Sequence, residues 1–439
     1  MPAVDTDALT HRRVLAIALP IVIANATVPI LGAVDTAVVG QMGQAAPIGA
    51  VGIGAVILAS VYWVFGFLRM GTTGLVAQAH GRGHADEVAA HLARALMIAA
   101  LAGLALIALQ APLTRAAFAL APASPEVEAL ARDYLAIRIW GAPATIALYA
   151  LTGWLIALER TRAVLAIQVL MNGMNVALDL WFVLGLGWGV KGVAAATLIA
   201  EVAGLALALW LARAALHPIP RATLFDRARL AELWSVNRDI LLRSVLLQAS
   251  FTGFIFLGAR WGDVTLAANQ ILIQFLNITA YALDGFAFAA ETLVGQAIGA
   301  RRPDRLRRAA GLTAQWGVGG AAALGAAFWL GGPVVIDVMT TAPEVRAAAR
   351  ALLPWIAAAP LIGIAAWMFD GIFIGATLTR EMRNAMALSV AVYVAALALL
   401  IPAFGNHGLW AGLMVLNATR GLTMARLYPR AAAKAASSL

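Results

Sequence analysis

The chain has 439 residues, of which 62% are hydrophobic and only 12% are charged, and its mean hydropathy is +0.85. A water-soluble globule of this size needs more polar side chains than this to cover its surface. The composition therefore excludes a soluble protein. The formal net charge is +9, and the absence of cysteine excludes disulfides and thiol chemistry.

Apolar runs of roughly 20 residues, long enough to cross a hydrocarbon core about 30 Å thick, recur along almost the whole chain. The runs lack the alternation of barrel strands, and backbone inside lipid must satisfy its own hydrogen bonds, so we predict helices. Twelve transmembrane helices are predicted, at 14–39, 49–80, 86–110, 126–158, 162–186, 190–215, 235–260, 265–299, 305–331, 344–377, 381–403 and 407–428. The predicted fold class is an all-α integral membrane protein.

The basic residues are distributed unevenly between the breaks that separate these spans. One set of alternate breaks contains only Arg115, Lys191, Arg260 and Arg346, and the other contains most of the remaining arginine and lysine. By the positive-inside rule the rich set is cytoplasmic, which puts both termini in the cytoplasm. The positive charge is therefore interpreted as a topology signal, and we expect no nucleic-acid partner.

An internal repeat divides the chain into two similar halves. Residues 63–81 align with 281–299 at an offset of 218, and the same offset aligns 153–162 with 371–380. A third match has a slightly shorter offset and pairs Gly189 and Gly192 with Gly405 and Gly408. Because each half contains six spans, both halves enter the membrane in the same sense, as in parallel-repeat transporters.

The repeat predicts two pseudo-symmetric six-helix bundles, an amino-terminal lobe at 1–215 and a carboxyl-terminal lobe at 236–439. A cytoplasmic linker is predicted between them at 216–235. Around this linker, Leu230, Leu233 and Trp234 stand at helical spacing opposite Arg227, Arg229 and Arg238. This pattern predicts a short linker helix that lies in the membrane interface.

Acidic residues inside the apolar spans are the main functional candidates, since charges in a membrane are costly and face a cavity or a partner. They are Asp35, Asp179, Glu201, Asp284, Glu291 and Asp370. Asn175 and Asp179 stand at i and i+4 and so share a helix face, as do Thr197 and Glu201 in the next span. Asp35 and Asp179 both lie late in outward-running spans, so their depths match.

Asp35, Asn175, Asp179 and Thr197 together supply two carboxylates, an amide and a hydroxyl. Oxygen ligands suit a hard cation such as Na⁺, and two neighbouring carboxylates where water is scarce can also hold a proton. We therefore predict a cation site or proton-coupling site, in which either ion drives transport. The alternative is that Asn175, Asp179 and Thr197 only join helices through hydrogen bonds.

The carboxyl-terminal half lacks this constellation, because Asp35 aligns with Gly253 and Asp179 with Leu397. Its own acids, Asp284, Glu291 and Asp370, are predicted to line a substrate cavity or to pair with an arginine, Arg69 or Arg420. Adaptable apolar contacts to the substrate are expected from Met171 and Met174, although such residues also serve as plain packing.

Three segments carry a resemblance to a known family: VDTAVVG at 34–40, GQAIG at 295–299 and DGIFIG at 370–375. With the repeated six-helix units, the chain resembles the multidrug and toxic compound extrusion (MATE) family, DinF-like branch. The resemblance implies a V-shaped pair of lobes, with Asp35, Asn175, Asp179 and Thr197 as the cation site. It also implies a bend of the first helix at Pro20.

The expected function is secondary active efflux of cationic or amphipathic compounds in exchange for H⁺ or Na⁺, by alternating access. The expected setting is the inner membrane, where the protein is a multi-pass monomer with small-molecule drugs and the bilayer as partners and no cofactor besides the coupling ion. One alternative is a flippase for lipids or lipid-linked precursors, which requires a strongly cationic cavity. A membrane-embedded enzyme is disfavoured because the histidines lack a metal-ligand spacing.

Overall fold

A computed structural model describes residues 9–41, 44–120, 123–216 and 219–436. Within these ranges the chain is almost entirely helical and contains no strand. Helices suit this sequence because each one satisfies its own backbone hydrogen bonds without water.

Fifteen α-helices are present in the described ranges. They are α1 (His11–Gly40), α2 (Ala45–Trp63), α3 (Phe67–Gly81), α4 (Ala85–Ala108), α5 (Gln110–Leu120), α6 (Pro125–Arg138), α7 (Ala142–Ala157), α8 (Thr161–Asp179), α9 (Gly189–Ala212), α10 (Arg221–Leu224), α11 (Arg227–Gly258), α12 (Asp263–Gly299), α13 (Pro303–Met339), α14 (Pro343–Gly375) and α15 (Thr379–Ala436). Short 3₁₀ turns join α2 to α3 and α6 to α7, so each of these pairs forms one long span.

Eleven helical segments are long and apolar enough to cross a membrane, and the last of them is α15. Gly405 breaks α15 with φ +54° and ψ −127°, which no helical residue adopts. A Cβ atom on Gly412 would lie 2.4 Å from the Leu397 side chain, whereas a straight helix would hold these residues about 22 Å apart. α15 therefore folds back on itself and supplies two crossings, which confirms the prediction of twelve spans.

The chain divides into two compact units that do not follow chain order completely. The first-half unit contains Ile23–Val76 and His84–Ala231. The second-half unit contains the described residues up to Val22, then Ala77–Gly83, then Glu232 onward. The start of α1 and the end of α3 thus belong to the second-half unit. The predicted lobe bounds, 1–215 and 236–439, stay a prediction.

Each unit has its own apolar core. In the first-half unit the core contains fully buried residues such as Leu68 and Ile146. In the second-half unit it surrounds Trp410, whose ring meets Phe254 edge-on at 4.8 Å. The indole nitrogen of Trp410 donates to Asn269 Oδ1 at 2.9 Å, so this large side chain is buried without an unsatisfied polar atom.

The backbone reproduces the repeat at three turns where φ is positive. The corresponding pairs are Gly83 with Arg301, Glu159 with Thr377, and Gly187 with Gly405. Each pair is separated by the offset of 218 found in the sequence. At this offset the counterpart of Gly405 is Gly187, so the shorter offset predicted for this region is not needed.

The same helix crossing also occurs once in each unit. A Cβ atom on Gly153 of α7 would lie 2.4 Å from the carbonyl oxygen of Arg69, and one on Gly371 of α14 would lie 2.4 Å from that of Ala287. Both partners are again 218 residues apart. Glycine at each position lets two spans approach to backbone contact, as is usual between membrane helices.

The segment between the halves differs from its prediction. Arg94 of α4 donates to the carbonyl oxygens of Thr223 and Leu224, which ties α10 to the first-half unit. α11 begins at Arg227 and continues unbroken to Gly258. The predicted separate interfacial helix is therefore wrong, because its residues form the start of a spanning helix. Residues 217–218 of the predicted linker lie outside the described residues.

The glycine crossings predict that Gly153→Ala and Gly371→Ala each destabilise the protein. A Cβ at 2.4 Å from a backbone oxygen forces the helices apart, and such overpacking costs about 1–3 kcal/mol. Gly319→Ala in α13 is the matched control, because a Cβ there meets nothing within 4 Å. Thermal unfolding in detergent should show lower midpoints for the first two variants only. Equal midpoints in all three variants would contradict the crossing.

Candidate functional site

The structure brings together the four residues predicted to form a cation site, all within the first-half unit. Asn175 lies at their centre. In the orientation that satisfies its neighbours, its amide nitrogen donates to Asp35 Oδ1 and to Asp179 Oδ2, each at 3.0 Å. Its amide oxygen accepts from Thr197 Oγ1 at 3.0 Å. Helices α1, α8 and α9 therefore meet at one polar cluster.

The cluster is largely hidden from solvent. Asn175 is 1% exposed and Asp179 is fully buried, whereas Asp35 and Thr197 are half-buried. Directly after Asp179, α8 continues as a π-helical turn, Leu180–Gly185. Turns of this kind are rare and are found often at functional sites, where they redirect the side chains that flank them.

The two carboxyl groups of the cluster are close neighbours. Both approach the same Asn175 nitrogen, each at 3.0 Å, so the two carboxyl groups lie close together. Two ionised carboxylates repel each other at such a place, and a proton on one of them removes the repulsion. Asp179 Oδ1 is buried and has no hydrogen-bond partner among the described residues. The arrangement can therefore take up and hold a proton.

A second buried polar group in the first-half unit is an ion pair that sequence reasoning missed. Arg138 of α6 donates twice to Glu201 of α9, at 2.6 and 2.9 Å. The sequence spacing related Glu201 to Thr197, which lies one helical turn before it. The signal in the sequence that could have revealed this pair is one basic and one acidic residue, each within an apolar span.

Asp370 lies in a buried charge cluster of the second-half unit. Arg243 of α11 donates to Asp370 Oδ2, and Arg420 Nη2 lies 3.6 Å from the same oxygen. All three residues are no more than 7% exposed. The sequence proposed Arg420 as one partner but missed Arg243. Asp370 is therefore a counter-ion for two arginines, and its role in a substrate cavity stays a prediction.

The remaining residues predicted for the substrate cavity fall in different units. Met171 packs against Gly204 of α9, and Met174 is half-buried, both in the first-half unit. Glu291 is buried and Asp284 is half-buried, both in the second-half unit. Whether these residues line one cavity stays a prediction.

Pro20 lies inside α1, which runs without interruption from His11 to Gly40. The helix therefore continues through Pro20 and through Pro29 as well. The boundary between the two units follows Val22, two residues after Pro20. The predicted bend at Pro20 stays a prediction.

The buried cluster predicts that Asp370→Asn strongly destabilises the protein. Removing one partner of a buried ion pair costs about 3–5 kcal/mol, because the remaining charge is left uncompensated. Asp337→Asn is the control, since Asp337 forms a more exposed pair with Arg350 at 2.5 Å, and such pairs contribute about 0–1 kcal/mol. The midpoint of thermal unfolding in detergent should fall much further for Asp370→Asn. If both variants lower the unfolding midpoint by a similar small amount, Asp370 is not a required counter-ion.

Known proteins resemble this chain over nearly its whole length. The sequence profile of the MatE family matches residues 20–181 and 240–400, one segment in each half of the repeat. DNA damage-inducible protein F of Escherichia coli is 39% identical, and the match covers 94% of this chain and 91% of that protein. The probable multidrug resistance protein NorM of Pseudomonas aeruginosa is 28% identical over 98% of this chain and 92% of its own length.

The fold is shared with solved transporter structures. The crystal structure of the Vibrio cholerae MATE transporter VcmN in the bent form has a TM-score of 0.87, with 20% identity and 97% of each chain covered. The predicted resemblance, including its DinF-like branch, is therefore confirmed. The chain belongs to the MatE family and is a multi-pass multidrug and toxic compound extrusion transporter, not an enzyme.

Proposed function

We propose that this transporter exports cationic and amphipathic small molecules in exchange for protons, by alternating access. The observation that carries the proposal is the pair of carboxyl groups, Asp35 and Asp179, bridged by the Asn175 amide. A buried acid pair changes its charge when it gains or loses a proton, and this change gives an ion gradient a means of driving the cycle.

The hydrogen bonds of Asn175 accommodate a proton without a metal ion. When its N–H groups donate to both carboxylates, its oxygen accepts from Thr197, and every polar atom of the amide has a partner. Proton transfer to one carboxylate removes negative charge from two acids that would otherwise repel each other. Sodium coupling, the other option raised by the sequence, corresponds to the opposite amide orientation, in which the nitrogen donates to Thr197 Oγ1 at 3.0 Å and the oxygen faces the carboxylates.

The exchange follows from competition between charge states. When the acid pair has lost its protons, its negative charge favours a conformation that holds a cationic substrate. When a proton enters from outside, the neutral pair no longer favours that conformation and the substrate is released. The proton and the cationic substrate favour different conformations of the transporter. Binding of one therefore opposes binding of the other. Pro20 in α1 offers a place for the helix to bend during this change.

The substrate class is supported by the side chains available in the spans. Asp284 and Glu291 add negative charge to the second half, and Met171 and Met174 offer adaptable apolar surface. The Pseudomonas aeruginosa relative is named a probable multidrug resistance protein, which also supports small-molecule drugs as substrates. A flippase for anionic lipid-linked precursors would need a strongly cationic cavity.

The buried arginines do not favour such a flippase. Arg138, Arg243 and Arg420 each lie beside a carboxylate. Arg243 and Arg420 share the Asp370 carboxylate, so two carboxylates face these three arginines and the net charge of the five residues is small. We assign the transporter to a bacterial inner membrane, with both termini in the cytoplasm, on the distribution of basic residues between the spans.

We predict that Asp35→Asn and Asp179→Asn each reduce proton-driven export at least tenfold, because a neutral amide cannot exchange a proton. Asp133→Asn is the control, since Asp133 lies in an exposed pair with Lys191 at 3.3 Å. The measurement is uptake of a fluorescent cationic dye by inside-out proteoliposomes under separate pH and sodium gradients.

The wild type and the Asp133 variant should respond to the pH gradient alone. Wild-type export that depends only on the sodium gradient would reject proton coupling. Full export by both acid-pair variants would reject the site itself.

A further inference from the structure

A polar cavity of about 200 Å³ lies within the second-half unit. Its wall is built from the start of α1, the ends of α3 and α12, and the first turn of α13. One water molecule occupies roughly 30 Å³ in the liquid, so the cavity has room for a polyatomic ligand. Two residues of the wall, His80 and Ala300, are exposed, which shows that the cavity is open to its surroundings.

Three basic side chains from three different helices line this cavity. They are Arg13 of α1, His80 of α3 and Arg305 of α13. Gln296 of α12 adds an amide, whose oxygen accepts from Arg13 Nη2 at 3.4 Å. The part of the wall that the structure describes contains no carboxylate. Asp304, the acid beside Arg305 in the chain, is bonded through both oxygens to Arg302. The cavity therefore presents positive charge and N–H donors.

Neither membrane topology nor the helix dipole explains why these residues meet. The positive-inside rule requires basic residues on one side of the membrane, but it does not require side chains from separate helices to line one cavity. Arg13 and Arg305 each lie in the first turn of a helix, where the dipole favours acidic residues over basic ones. Two guanidinium groups in one cavity also repel each other. A bound anion offsets this repulsion.

The carbonyl groups at the ends of α3 and α12 do not turn the cavity into a cation site. The Gly83 N–H donates to the His80 carbonyl at 2.9 Å, and the Arg302 N–H donates to the Ala297 carbonyl at 2.9 Å. These oxygens are bonded within the protein by the turns that follow each helix. The chemistry of the wall thus favours an anion as the ligand.

The donors of the wall fit a phosphate group. Arginine presents a planar fork of N–H groups that matches two phosphate oxygens, and such charge-assisted bonds are about twice as strong as neutral ones. Histidine and glutamine side chains can each add a further N–H donor. A phosphate has enough oxygens to accept from side chains that approach from several helices, as they do here.

The position of the cavity indicates a lipid as the source of the phosphate. α3 and α12 end beside the cavity, and α1 and α13 begin there. It therefore lies at the level where these membrane spans leave the bilayer. The proposed topology puts these helix ends on the cytoplasmic side. Basic pockets between membrane helices on that side bind the headgroups of anionic lipids.

We propose that this cavity binds the phosphate group of an anionic phospholipid from the cytoplasmic leaflet, with Arg13 and Arg305 as its main ligands. The cavity belongs to a different unit from the acid pair, so the inference does not depend on proton exchange. Only the choice of leaflet rests on the proposed topology. Because its two main ligands come from α1 and α13, a bound phosphate joins two helices and stabilises the folded protein.

The test measures lipid binding to the purified full-length transporter at a fixed concentration of neutral detergent. The readout is the rise of the thermal unfolding midpoint with dioleoyl-phosphatidylglycerol, dioleoyl-phosphatidylcholine or inorganic phosphate at constant ionic strength. The central variant is Arg13→Gln/Arg305→Gln. The matched control is Arg12→Gln/Arg307→Gln, which removes the same charge from the same two helices at exposed positions that do not line the cavity.

We expect phosphatidylglycerol to raise the midpoint of the wild type and of the control at concentrations at least tenfold lower than those the central variant needs. Phosphatidylcholine, whose headgroup has no net charge, should require at least tenfold more lipid in the wild type. Equal responses of the two double variants to phosphatidylglycerol would overturn the site, because general attraction to a basic surface then explains the binding. Inorganic phosphate that acts at the same concentration as phosphatidylglycerol would overturn the lipid as the source of the phosphate.

Ala300→Glu keeps the inference testable if the central variant does not fold. Ala300 is an exposed residue of the wall, and glutamate there places a carboxylate among the basic side chains. This variant retains both arginines and should need at least tenfold more phosphatidylglycerol than the wild type. A folded Ala300→Glu protein that responds like the wild type would overturn the inference. A failure of the proposed function is distinguishable, because lipid binding is measured without transport.

Discussion

The cost of charge in a dry environment is the constraint on which this structure depends. An ionised side chain inside a membrane protein needs a partner. Arg138 and Glu201 meet this need between α6 and α9, and Arg243 and Asp370 meet it between α11 and α14. The acid pair is different, because its two carboxyl groups face each other across a neutral amide. The charge of the acid pair can therefore be neutralised by an ion that binds and is later released.

The two halves share a framework but differ in chemistry. The turns with positive φ and the glycine crossings recur at one offset, so each half uses the same backbone geometry. At that offset Arg138 aligns with Ile356, Glu201 with Thr419 and Asp370 with Thr152. Glycine positions are thus constrained by close helix contact in both halves. The charged positions are not repeated between the halves.

Much of this organisation was predictable from the sequence because it follows from local composition or short spacing. Hydropathy predicts the spans, and the i, i+4 spacing of Asn175 and Asp179 predicts their shared face. The pairing of Arg138 with Glu201 was not predictable, because the two residues are 63 positions apart in the chain and lie on different helices. No local sequence pattern encodes such a contact. The start of α11 was misassigned, since an arginine-rich amphipathic segment fits an interfacial helix as well as the end of a spanning one.

In the proposed mechanism, the acid pair loses a proton when a cationic substrate binds. The most direct measurement is the number of protons released when a cationic dye binds to the purified transporter in weakly buffered detergent solution. The account predicts proton release on dye binding by the wild type, and a loss of this release in Asp179→Asn. Dye binding by the wild type without proton release would contradict it.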